Sequence, residues 1–142
     1  MAEPLGGHAY FDVEADVGVA AWGPTLADAF ARAALGALAL AVTPAGVQER
    51  ESRDVRAQGE SLEDLLVAWV NECLYVHEIE GFAVARVDVT ALGPQLVHGR
   101  LHGEPLDGSR HHLGTVVKAA TLHQVSVSET PGRSEVRLVL DV

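Results

Sequence analysis

The sequence predicts an α+β fold, two helices packed on a mostly antiparallel β-sheet, and three features carry that prediction. Two segments place apolar residues at helical spacing between clear start and stop signals. Short alternating segments, cut by Gly and Pro turns, surround them. Their order, strand–helix–strand–helix–strands, suits two helices laid on a sheet.

Taken in order, 8–22 alternates loosely and is enriched in Tyr, Phe and Val, so one or two short strands are expected around Asp16-Val17-Gly18. Thr25 caps a helix running to about Leu40, with Leu26, Ala29, Phe30, Ala33, Ala34 and Ala37 on its buried side and Pro44 and Gly46 beyond its end. Segment 47–58 is charged but alternates, as an edge strand with one wet face does. The helix over 61–79 is the best punctuated. Ser61 stands at the N-cap, Asp64 completes an acidic variant of the capping box, and Glu63 and Asp64 suit the positive end of the dipole. Leu62, Leu65, Leu66, Trp69, Val70, Cys73 and Leu74 share one face, and Gly81 follows its end. Strands are expected over 82–91, 95–103 and 121–128, with turns at Gly93-Pro94 and 105–109. Pro131-Gly132 marks a last hairpin before 135–142. No linker divides the chain, so one domain over 1–142 is expected.

Composition narrows the function. No apolar run is long enough to span a bilayer, and the first residues lack the basic and apolar regions of a secretory signal. The single cysteine, Cys73, lies on an apolar helix face, so it reads as a buried thiol, and a cytoplasmic location is expected. Nine Arg and one Lys face twenty acids, for a net charge of −10. Gripping RNA or DNA takes clustered Lys and Arg on phosphates. Strong direct nucleic-acid binding is therefore not expected, and a role in nucleic-acid metabolism would run through a protein partner.

The chain has no phosphate loop, dinucleotide fingerprint, CxxC pair or nucleophile elbow. Its seven histidines lack zinc-ligand spacing and read as strand and loop residues. The carboxylates say more. Asp16 joins two apolar stretches, and Asp141 stands between Leu140 and Val142 at the end of an apolar strand. Val142, as the last residue, adds a terminal carboxylate. If the last strand lies beside the first ones, three oxygen donors converge, a set suited to Ca²⁺, Mg²⁺ or Mn²⁺. The same residues also read as a solvated terminus and a turn-former. Lys118, the only lysine, emerges from the apolar segment Val116, Val117, Ala119, Ala120, either to pair with carboxylates or to snorkel.

Together these motifs resemble the archease family over essentially the whole chain. The segment Val13-Glu14-Ala15-Asp16-Val17-Gly18 is similar to the family's His-Thr-Ala-Asp-Val-Gly, with Val13 and Glu14 in place of the His and Thr. Trp22-Gly23, the helix start Thr25, Leu26, Ala29, Phe30, and the helix from Leu62 to Tyr75 follow. Gly103-Glu104, then Val117-Lys118-Ala119 with Thr121 and His123, and finally Leu140-Asp141-Val142 complete the set. In the Thr-x-His element, Leu122 replaces the family's Tyr.

The resemblance implies an activator, not an enzyme. Archeases assist the RtcB-type RNA ligase, which joins 3′-phosphate or 2′,3′-cyclic phosphate ends to 5′-hydroxyl ends through a guanylate on its own histidine, with Mn²⁺. They promote ligase guanylylation and multiple turnover in tRNA splicing and RNA repair. The family's metal ligands carry over to Asp16, Asp141 and Val142, with Ca²⁺ the first expectation and Mg²⁺ or Mn²⁺ the alternatives. Glu14, Lys118, His123 and Glu104 are the accessory or partner-contact candidates. Two other readings stand beside this one: a stand-alone metal-dependent phosphoester hydrolase, and a chaperone-like module with a structural metal.

Overall fold

The computed structural model describes residues 6–13 and 16–142. Its elements run β1 (Gly7–Val13), β2 (Asp16–Gly23), α1 (Leu26–Ala41), β3 (Glu51–Gln58), α2 (Leu62–Glu80), β4 (Phe82–Leu92), β5 (Leu96–Pro105), β6 (Ala119–Thr130) and β7 (Arg133–Asp141). Both helices start where their caps predict. Thr25 Oγ1 accepts from the Asp28 N–H at 3.2 Å and Asp28 Oδ2 accepts from the Thr25 N–H at 3.3 Å, a complete capping box. Ser61 Oγ accepts from the Asp64 N–H at 3.1 Å, and α2 closes on Gly81 in the left-handed conformation. No helix among the described residues is long and apolar enough to cross a membrane.

The strands form two sheets, β1-β2-β7-β6 and β3-β5-β4, with every adjacent pair antiparallel. One sheet is expected from the sequence and two are present; the width of the apolar helix faces explains the second. Besides the stripe at Ala29, Phe30, Ala33 and Ala37, α1 buries Ala31, Gly36 and Leu38, a wider arc than one sheet covers. It packs on β2 and β7 of the first sheet and on β4 of the second, while α2 packs on β6 and on β3. The helix pair is thus the middle layer. One core runs through it from Val19, Leu138 and Leu140 to Val55, Val97 and Leu101. Trp69 lies at its centre, fully buried, its indole N–H donating to the Phe30 carbonyl at 2.9 Å.

Several boundaries shift from expectation, two of them for evident local reasons. Strand β3 begins at Glu51, because the Val47 N–H turns back to the Pro44 carbonyl and the Gln48 N–H is taken by the Glu104 carboxylate. Strand β6 starts earlier than expected and bulges between Thr121 and Ser126, where Gln124 adopts a left-handed φ of 54°.

Side-chain alternation gives the four-stranded sheet two distinct faces. Val19, Ala21, Val136, Leu138 and Leu140 point to the helices. The outward face carries, in register rows, Val13–Asp16–Asp141–Ala119, then Phe11–Gly18–Val139–Thr121, then Ala9–Ala20–Arg137.

Candidate metal centre

Asp16 opens β2 and Asp141 closes β7, and the unbroken register between these strands sets the two directly opposite each other. Directly opposed residues of an antiparallel pair project from the same face with Cβ atoms about 5 Å apart, and like charges in that position repel. Neither carboxylate has an ion-pair partner among the described residues. A divalent cation would offset that repulsion, and two hard carboxylates at one point are donors of the kind that suits Ca²⁺, Mg²⁺ or Mn²⁺. Val142 follows Asp141 directly, and its side chain, partly buried, packs against the core. Among the described residues no three His, Cys, Asp or Glu side chains gather as a ligand set, so a cation held here would take two side chains and complete its shell from main chain, water or a partner.

Lys118 reaches the same corner. Its N–H donates to the Asp141 carbonyl at 2.8 Å, while its side chain is exposed and unpaired among the described residues. Strand β6, which starts at the next residue, is braced from α2. Asn71, on α2, donates from Nδ2 to the Ala120 carbonyl at 3.1 Å and accepts the Ala120 N–H at Oδ1 at 2.7 Å. This amide mimics a further strand on the open edge of β6 and fixes the segment facing Asp141. Asn71 is the one amide side chain in α2, and that was the available signal.

The other candidates lie elsewhere. Glu14 falls outside the described residues. His123 is exposed on β6 at the bulge, its ring near the Gln124 amide. Glu104 lies in the other sheet, on β5, only 2 % exposed, at the centre of its own cluster. It accepts the Gln48 N–H at 2.8 Å and an Arg110 N–H at 2.6 Å. The Asp107 N–H donates to His111 Nδ1, so Nε2 carries the ring proton and donates to Glu104 at 3.0 Å. The cluster pins the 106–118 loop to β5.

These donors, led by the Gln48 N–H, hold the Glu104 carboxyl down to about 2 from its ordinary 4.5. A carboxyl with a lowered folded-state pKa stabilises the fold above its unfolded value and loses that contribution as pH falls. Acid titration followed by circular dichroism should therefore show stability declining between pH 4.5 and about 2, with a shallower decline in Glu104→Gln.

The Archease protein family profile matches residues 8–142. The archease of Pyrococcus furiosus is 32% identical over 137 residues, covering 94% of this chain and 96% of that protein. The archease of Saccharolobus islandicus is 34% identical over 134 residues with the same coverage. Among solved structures, a Methanobacterium thermoautotrophicum protein superposes with a TM-score of 0.78 at 27% identity, over 96% of this chain and 99% of the other. A Thermotoga maritima archease described as a possible chaperone shares the fold, with a TM-score of 0.58 at 17% identity over 100% and 98% of the two chains. Motif order, two-sheet architecture and near full-length similarity agree: this chain belongs to the Archease protein family.

Proposed function

We propose that the protein is a non-enzymatic accessory protein that activates an RtcB-type RNA ligase, presenting a divalent cation held by Asp16, Asp141 and Val142. Family membership supports the accessory role. The observation that carries the site is the opposition of Asp16 and Asp141 on an outward sheet face, with no ion-pair partner for either among the described residues. When bound, the cation supplies positive charge against the phosphates of the ligase's guanylylation step. The chain's own residues make it available there. Asp16 and Asp141 present anionic oxygens, Val142 anchors its main chain by burying its side chain, and Lys118 adds an exposed ammonium. A net charge of −10 favours docking on a basic protein surface over holding RNA.

The test is transfer of labelled guanylate from GTP to the ligase of the same organism. Wild type should accelerate it and Asp16→Ala should not; equal acceleration by both would remove the site from the mechanism. A chaperone-like module with a structural cation is the second reading. It draws on Leu106, Leu113 and Val116, exposed along the 106–118 loop beside a cavity that this loop shares with α2. Chelation that lowers the melting temperature sharply while ligase activation persists would favour it.

A further inference from the structure

The outward face beside Asp16 and Asp141 carries a second device. Phe11 stands opposite Gly18 in the next same-face row, and its ring lies flat over that glycine; a methyl group there would run into the ring. Arg137, on the same face of β7, stacks its guanidinium on this ring at 4.2 Å from the centroid. Such stacking fixes the cation and leaves the N–H edge of the fork free. Arg137 is exposed and makes no ion pair or hydrogen bond among the described residues. Its neighbour Arg133, by contrast, is within 3.6 Å of Glu135.

Two residues of strand rise separate the Phe11 row from the carboxylate row, about 7 Å. Arg137 springs from the row beyond, four residues or about 13 Å from Asp141 along β7. Its seat on the Phe11 ring sets the unpaired guanidinium on the same outward face, over the row next to a site suited to a divalent cation. An anion alone would be repelled by the aspartates, and a cation alone leaves Arg137 without work. A metal-bound phosphate satisfies both.

From this arrangement we propose that Arg137, seated on Phe11, is a phosphate-binding residue, and that the outward face takes the polyphosphate of a nucleotide bridging it to the cation on Asp16 and Asp141. The proposal rests on the cation reading of those aspartates. A nucleotide fits better than an RNA strand, because the face offers one free guanidinium and no continuous basic track, and the chain is strongly acidic.

Calorimetric titration tests this, with Ca²⁺ alone, then GTP at saturating Ca²⁺, then a 3′-phosphorylated RNA oligonucleotide, on wild type, Arg137→Gln, Arg137→Lys and Asp16→Asn. Arg137→Gln should weaken GTP binding about tenfold or more, the scale of a charged hydrogen bond. Its Ca²⁺ affinity should stay at the wild-type value and its melting temperature should fall by only a few degrees, the scale of one exposed cation–π contact, and Arg137→Lys should recover part of the loss. Asp16→Asn should lose both ligands. Equal GTP affinity in wild type and Arg137→Gln, or no GTP binding by the Ca²⁺-loaded wild type, would overturn the proposal. Tighter binding of the RNA end than of GTP would overturn the nucleotide assignment. Failure of wild type to bind Ca²⁺ or Mn²⁺ would instead overturn the cation reading on which it rests.

Discussion

Asp141→Ala should abolish divalent-cation binding, with affinity falling roughly 100-fold or more, beyond the loss expected for supporting residues around a metal. The same substitution should leave the metal-free protein as stable as wild type, or more stable by a few tenths of a kcal/mol, because it removes one of two like charges set opposite each other. Terbium luminescence titration measures the first effect and thermal unfolding in chelator the second. The two signs together are diagnostic. A purely structural Asp141, packed or hydrogen-bonded in the fold, would lower the chelated melting temperature. A metal-binding Asp141 lowers it only when cation is present, by removing the ligand's stabilisation. Asp16→Ala should behave alike, since the register makes the two residues equivalent across the strand pair.

Trp69→Ala should be the most destabilising substitution in the chain outside this site. Trp69 is fully buried where α1, α2 and β5 meet; its N–H donates to Phe30 and its ring lies against Gly99. Truncating such a residue costs about 3–5 kcal/mol through lost burial and the cavity left behind. For a chain of this size the melting temperature should fall by roughly 10 °C. Trp69→Phe, which keeps a ring and gives up the N–H, should cost less. A fall of only a degree or two in Trp69→Ala would mean that α1 and β5 close over the gap, and that the helix pair is not the rigid middle layer described above.

Much of this was legible in the sequence because its causes are local. Thr25 with Asp28, and Ser61 with Asp64, are complete messages within four residues, and both helices start at them. The meeting of Asp16 and Asp141 was legible only conditionally: each lay at the end of an apolar strand, and adjacency of β2 and β7 supplied the rest. The split into two sheets was not legible, because the three-and-four spacing marks the centre of a helix face and not its width. Glu104 reads as one charge in an ordinary strand, and its burial depends on residues 48, 110 and 111 arriving from other segments. Arg137 on Phe11 is further still from a sequence signal. The pair requires two exact strand pairings, β1 with β2 and β2 with β7, plus a glycine between them.

The most direct test of the central claim is multiple-turnover ligation of 3′-phosphate and 5′-hydroxyl RNA ends by the same organism's RtcB-type ligase, comparing wild-type protein with Asp16→Ala and Asp141→Ala. Wild type should carry the ligase past a single turnover, and both variants, though folded, should not. Equal stimulation by wild type and the two variants, or none by wild type, would contradict that claim.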